Sequence, residues 1–177
     1  MALPRLTLKN GSFLRSGERF VPFGPVYFAR RPGTCGGDYF ADEFWPDAKE
    51  HFERDFARIA SLGCTWVVPF VKTTPFWKDG KPVEKVWKRH DHMVEAARRN
   101  GLYCVPFPNA PNEMFPAVMG RPYANDPAHP HKHPATNPQI HDMTVEITAA
   151  FARRYDDDTA VPLGRDSEYK PGSDSDD

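Results

Sequence analysis

Aromatic side chains fall just after three apolar, strand-like stretches of this sequence: Tyr27 and Phe28, then Phe76 and Trp77, then Phe115. A flat ring with apolar faces suits the face of a pyranose. Tyr27 and Phe28 read equally well as core, whereas Trp77, beside Lys78-Asp79-Gly80, reads as an exposed platform. His129, His131 and His133 alternate, so an extended backbone would bring all three to one side, where they could hold zinc. Prolines interleave them and no cysteine or acid joins them at a ligand spacing, so a solvated loop without a metal is expected. His90, Asp91 and His92 lie in a helical stretch and are expected on its outer face. No Gly-x-Ser-x-Gly elbow is present to support a Ser-His-Asp hydrolase. Cys35, Cys64 and Cys104 are an odd, widely spaced set that fits neither a disulfide framework nor paired metal knuckles. Cys64 and Cys104 sit beside predicted strands, where a thiol packs as a small hydrophobe; Cys35, in Gly33-Thr34-Cys35-Gly36-Gly37, is the one expected at the surface.

The elements that must position these residues alternate between strand and helix. Phe13–Arg19 is a hairpin-style lead-in turning at Ser16-Gly17, and Phe20–Phe28 is the first strand. Trp45-Pro46-Asp47 opens a helix, with Asp47 and Glu50 spaced as a capping box, and Gly63 closes it. Phe52, Phe56, Ile59 and Ala60 recur at the helical period. Thr65–Val71 is rich in β-branched and aromatic residues without alternation, which predicts a strand buried on both faces. Val86, His90, Met93, Val94 and Ala97 mark the face of a second helix, and Leu102–Pro106 the third strand. A proline-crowded connection from Phe107 to Pro138 contains Asn112-Glu113 between Pro111 and Pro116, and is long enough to be a functional loop. Asn137-Pro138 caps a third helix with the face Ile140, Met143, Ile147 and Phe151. Strands separated by helices pair in parallel, which gathers the strand-to-helix loops on one side of the sheet. From Asp156 the composition turns acidic, and Asp174-Ser175-Asp176-Asp177 is expected to be disordered.

Composition limits the partners. With 23 basic against 24 acidic residues, no basic field invites nucleic acid and no polybasic stretch an anionic membrane, so the expected partner is neutral. Neither a secretory signal nor a spanning apolar run is visible, which predicts a soluble, cytoplasmic protein. A chain of 177 residues suffices for one domain, whereas a complete eight-unit barrel takes about 250 residues.

Phe20-Val21-Pro22-Phe23-Gly24-Pro25-Val26-Tyr27-Phe28, Trp45-Pro46 and Asp55-Phe56-Ala57-Arg58-Ile59-Ala60-Ser61-Leu62-Gly63 resemble the start of the retaining-clan (β/α)8-barrel glycoside hydrolases, the cellulase- and mannanase-like enzymes of family 5 and the β-galactosidase-like enzymes of family 42. Ala96-Ala97-Arg98-Arg99-Asn100-Gly101-Leu102-Tyr103 and Phe151-Ala152-Arg153-Arg154-Tyr155 continue the resemblance. It implies a partial TIM barrel of three to four βα units: residues 1–155 the N-terminal portion, residues 156–177 a degenerate fourth strand and tail. It also implies hydrolysis of β-glycosidic bonds without a cofactor, by two carboxylates about 5 Å apart acting as acid/base and nucleophile. In relatives the acid/base ends the fourth strand as the Glu of an Asn-Glu pair, and the nucleophile ends the seventh. Thr159-Ala160-Val161-Pro162-Leu163-Gly164 begins like that fourth strand, which makes Glu168 the candidate acid/base. Ser167 stands where the Asn should be, and an exposed Glu in an acidic tail is the competing reading. Asn112-Glu113 follows the third strand, the wrong order for the family acid, so Glu113 is expected at the rim of the sugar site. Val68-Pro69 occupies the place of an Arg that orients catalytic groups in relatives, and Asn109 the place of a His, where it can still bind a sugar hydroxyl. Tyr27, Trp77, Asn109 and Glu113 are therefore the expected sugar contacts. The missing second carboxylate predicts a truncated chain, inactive alone, and an open arc of three to four strands predicts self-association through an uncovered sheet edge. The alternatives are a non-catalytic carbohydrate-binding remnant or fragment of a barrel, and an unrelated small α/β domain.

Overall fold

The computed structural model describes residues 3–28, 39–108, 119–120 and 137–155. The chain starts as an antiparallel meander, β1 (Leu6–Lys9), β2 (Ser12–Arg15) and β3 (Glu18–Phe20), whose register pairs Leu8 with Phe13 and Phe13 with Phe20. Its two turns, Asn10-Gly11 and Ser16-Gly17, place both residues at positive φ, as a tight two-residue hairpin demands. The lead-in is thus one strand longer than expected, and Phe20 belongs to it.

The parallel sheet comes next: β4 (Val26–Tyr27), α1 (Trp45–Ser61), β5 (Trp66–Val71), a 3-10 turn (Thr74–Phe76), the small hairpin β6 (Trp77–Lys78) and β7 (Lys81–Pro82), α2 (Glu84–Arg99), β8 (Tyr103–Cys104), β9 (Phe107–Pro108) and α3 (Pro138–Tyr155). β5 is central, with β4 parallel on one side and β8, then β9, parallel on the other. The expected adjacency and direction of the three strands are therefore present. Their lengths are not, and proline is the reason. Pro22 and Pro25 have no N–H to offer, so Phe20–Phe28 is no continuous strand; the carbonyls of Phe23 and Pro25 accept from the amides of Thr65, just before β5, at 2.8 Å and of Val68 at 3.1 Å, while the Phe23 amide turns to the Thr65 hydroxyl at 3.0 Å. Pro69 and Pro106 stand opposite each other at the gap between the β8 and β9 pairings.

α1 opens at Trp45 as expected, but its N-cap residue is Phe44, which gives no side-chain cap, and Pro46 stands in its first turn, so Asp47 lies inside the helix rather than at its cap. Gly63 at φ +80° and Gly101 at φ +74° carry the chain out of α1 and α2, a conformation that costs a residue with a Cβ. Asn137 caps α3 as expected, its Oδ1 accepting from the Ile140 amide at 3.2 Å. Phe151 meets Trp87, and one turn later Tyr155 meets His90, so α3 runs in the same sense as α2.

Burial alternates along β5: Val67, Pro69 and Val71 are covered by the helices, whereas Trp66, Val68 and Phe70 on the other face are half-buried. The expectation of a strand buried on both faces is corrected here. The helix-side core gathers Tyr27, Phe52, Phe56, Val67, Val71, Phe76, Met93 and Cys104 with Ile140, Met143, Ile147 and Phe151 from α3. A second cluster, Leu6, Phe20 and Tyr103 with Phe13 and Trp66 packed on it, seats the meander against the N-terminal end of the sheet, where the Tyr103 hydroxyl donates to the Pro4 carbonyl at 2.8 Å. No helix among the described residues is long and apolar enough to cross a membrane.

Candidate functional site

Parallel pairing brings the C-terminal ends of β4, β5 and β9 to one side of the sheet, and three rings line up there. Phe28 stacks on Phe70 with centroids 4.8 Å apart and planes at 24°, and Phe70 meets Phe107 at 6.1 Å. The register explains the row: Tyr27 pairs with Pro69, so Phe28 follows opposite Phe70, and Phe70 pairs with Phe107. Two residues earlier, Val26 and Val68 are partners, a lower layer on the same face. Val26, Phe28 and Phe107 are 58%, 51% and 55% exposed, so the face bearing the row is open. The sequence signal for it is a repeat without a reactive side chain: Val26-Tyr27-Phe28, Val68-Pro69-Phe70 and Val105-Pro106-Phe107 each send a Val and a Phe to the same face.

Tyr27, two-faced as a sequence candidate, points the other way. It is 8% exposed, ringed by Tyr39, Phe52 and Phe56, and its hydroxyl donates to Asp55 Oδ2 of α1 at 2.9 Å. Burial, reinforced by the Asp55 carboxylate, pushes its pKa far above the usual phenol range. Its role in this arrangement is to tie β4 to α1.

Trp77 corrects the expectation of an exposed platform. It is 6% exposed, with its ring 6.0 Å from Phe76 and 5.6 Å from Trp87. The β6–β7 hairpin, turning at Asp79-Gly80 with both φ positive, folds Trp77 onto α2, because an indole this large gains more from burial than the hairpin gains from displaying it. Asn109, directly after Pro108 of β9, lies outside the described residues, as do Glu113, Glu168, Phe115, Cys35 and the three alternating histidines. Cys104 is buried and Cys64 half-buried, both as free thiols; burial pushes the Cys104 thiol up in pKa, which leaves it unreactive. No group of three or more potential metal ligands occurs among the described residues.

His90 is a second correction. It is fully buried, not on the outer face of α2, and it sits among Phe40, Phe76, Trp87 and Phe151 at centroid distances of 5.1–6.3 Å. Helical periodicity puts it on the same face as Val86, Met93 and Val94, and that packing outweighs the polarity of the ring once Tyr155 of α3 provides a partner.

Fold and strand ends together define an α/β chain whose parallel strands are covered by helices on one face and carry a ring-lined, open end on the other. No protein-family model and no curated protein matches it. Among solved structures, it is similar to the exo-β-1,4-mannosidase Op5Man5 from Opitutaceae bacterium strain TAV5, with a TM-score of 0.51 and 24% identity, over 84% of this chain and 24% of the mannosidase chain. The chain therefore spans about a quarter of that enzyme's length. At this identity the likeness is one of fold.

Proposed function

We propose that residues 1–155 are the first three βα units of a (β/α)8 barrel of the retaining glycoside hydrolase type, and that their strand-exit side faces a β-linked carbohydrate. The observation that carries the reading is the parallel order β4-β5-β8 with its covering helices, which shares its fold with a mannosidase. In that frame Asn109 follows the third strand into the sugar site, Glu113 rims it, and Phe28, Phe70 and Phe107 form an apolar floor beneath it. Tyr27 and Trp77 support the site from the helix side rather than stacking on sugar. Glu168 is the candidate acid/base, protonating the leaving oxygen as the bond to the anomeric carbon breaks.

Hydrolysis with retention also needs a nucleophilic carboxylate about 5 Å from the acid. Three βα units have no seventh strand to supply it, so these 177 residues bind sugar without turning it over. A second reading, a carbohydrate-binding remnant that performs no chemistry, is favoured by the strand ends themselves, which among the described residues present phenylalanines rather than carboxylates.

The test uses the purified 177-residue chain with p-nitrophenyl β-D-mannoside and β-D-glucoside, and with β-1,4-linked mannotriose followed by NMR. The expected result is no nitrophenol above buffer, together with shift changes from millimolar trisaccharide at Phe28, Phe70 and Phe107. Absence of binding by any β-linked oligosaccharide overturns the sugar reading. Hydrolysis that disappears in Glu168→Gln overturns the catalytically incomplete barrel, and hydrolysis lost in Glu113→Gln but kept in Glu168→Gln means that the acid lies after the third strand.

A further inference from the structure

We infer that His90, Tyr155, Asp91 and Arg154 form a proton-sensitive latch that fixes the end of α3 on α2. Five polar contacts make it. Arg154 donates to both oxygens of Asp91, Nε to Oδ1 at 2.8 Å and Nη2 to Oδ2 at 2.6 Å, and Nη2 also reaches Glu84 at 3.2 Å. The Tyr155 hydroxyl donates to Asp91 Oδ1 at 2.7 Å, and the same hydroxyl lies 2.5 Å from His90 Nδ1.

The proton order in this chain follows from counting donors. For Asp91, burial favours the neutral acid, but the hydrogen bonds from Arg154 and Tyr155 outweigh it and hold the carboxyl below its ordinary pKa, so the group is an acceptor only. Tyr155 has one proton and gives it to Asp91. His90 Nδ1 must then be the donor to the Tyr155 oxygen, which fixes the neutral imidazole with its proton on Nδ1 and a bare Nε2. Nε2 is buried and has no hydrogen-bond partner among the described residues.

A second proton has nowhere good to go. On Nε2 it would create a cation inside the box of Phe40, Phe76, Trp87 and Phe151, with an N–H that finds no acceptor. Among the described residues, the charged and titratable groups around His90 and its partners are Glu84, Arg89 and Asp91 from α2, Arg154 and Tyr155 from α3, and the neutral Cys104 thiol from β8. Arg89 is engaged elsewhere, with Asp42 at 2.6 Å and the Phe40 carbonyl at 2.5 Å. Asp91 attracts the proton and Arg154 repels it. Burial dominates both, pushing the His90 pKa down to about 3.

The sign of the consequence is fixed. An unfolded histidine takes up its proton near pH 6.5, while the latched one refuses it down to about 3. The folded chain therefore binds fewer protons in that window, and the latch is fully stable above about pH 6.5 and weakens as the pH falls below it. The group released is the α3 end, because Tyr155 and Arg154 are its last two residues.

The test has two parts on the full chain. Long-range 1H–15N spectra of His90 should show the Nδ1–H tautomer at pH 7.5 and no titration near 6.5, and Tyr155→Phe should abolish the single-tautomer signature. Urea unfolding between pH 7.5 and 4.5 should lose up to tenfold in the equilibrium constant per pH unit below 6.5 beyond the loss seen in His90→Gln. An Nε2–H tautomer, an ordinary His90 titration near 6.5, or equal pH slopes in the two chains overturns the latch. If His90→Gln does not fold, the spectra of the unaltered protein decide.

Discussion

Gly24 is followed one turn of the pleat later by Val26 on the open face, and its own position is occupied by the neighbouring backbone. A Cβ there would lie 1.8 Å from the Trp66 carbonyl oxygen and 2.8 Å from the Trp66 indole. The obstacle includes main chain of β5, so it cannot swing away as a flexible side-chain end would. Gly24→Ala should therefore push β4 off β5 and cost about 3 kcal/mol or more, at or beyond the upper end of ordinary overpacking. Urea unfolding followed by tryptophan fluorescence checks it; a loss below about 1 kcal/mol would mean that the two strands separate freely. The contrast between Tyr27 and Phe28 belongs to the same scale. Adjacent residues on a strand face opposite ways, so one ring enters the core against α1 and the next lies open against Phe70. Both were visible as aromatics in the sequence, but their directions required the register of β4 on β5.

At the scale of elements, α3 is attached at both ends by side chains. Asn137 is buried at its start and caps the Ile140 amide, and Tyr155 and Arg154 engage α2 at its finish. Between them Ile140, Met143 and Ile147 supply the apolar face. Asn137→Ala should cost about 1 kcal/mol, the usual worth of an N-cap, with the loss of amide protection concentrated in the first turn of α3. Native-state hydrogen exchange reads this directly; unchanged protection at Ile140 would mean that packing alone sets the start of the helix. The helices were legible in the sequence because their apolar periods are long and clear. The strands were less so, since Pro22, Pro25, Pro69 and Pro106 remove ladder donors and leave segments that run extended yet pair only in pieces.

For the whole molecule, the consequential feature is the uncovered face of the parallel sheet. Val26, Phe28 and Phe107 each expose about half of their surface on it, and Val68 and Phe70 are half-buried between them. Apolar area of this kind, with unpaired strand edges beside it, favours association with a second sheet. The 177-residue chain should show a sedimentation mass that rises with concentration and a broad melt, and Phe107→Ser should lower the association without touching the helix-side core. A concentration-independent monomer with a sharp cooperative melt would count against it. Near-neutral net charge offers no long-range repulsion to prevent the contact.

The order of elements, the parallel sense of the strands and the buried stripes of α1, α2 and α3 were determined by the sequence alone, because hydrophobic period and chain order are local properties written residue by residue. The glycosidase resemblance rests on ordered segments of the same kind, and the fold agrees with it. Direction was different. That Trp77 turns into the core, that Tyr27 serves α1, that His90 is enclosed beside Tyr155 and that Phe28, Phe70 and Phe107 share one face all depend on residues 10–65 positions apart in the chain meeting across the sheet or between elements packed on it. Only the tertiary structure decides such meetings, since burial and pairing are energies shared between partners that no single stretch of sequence contains.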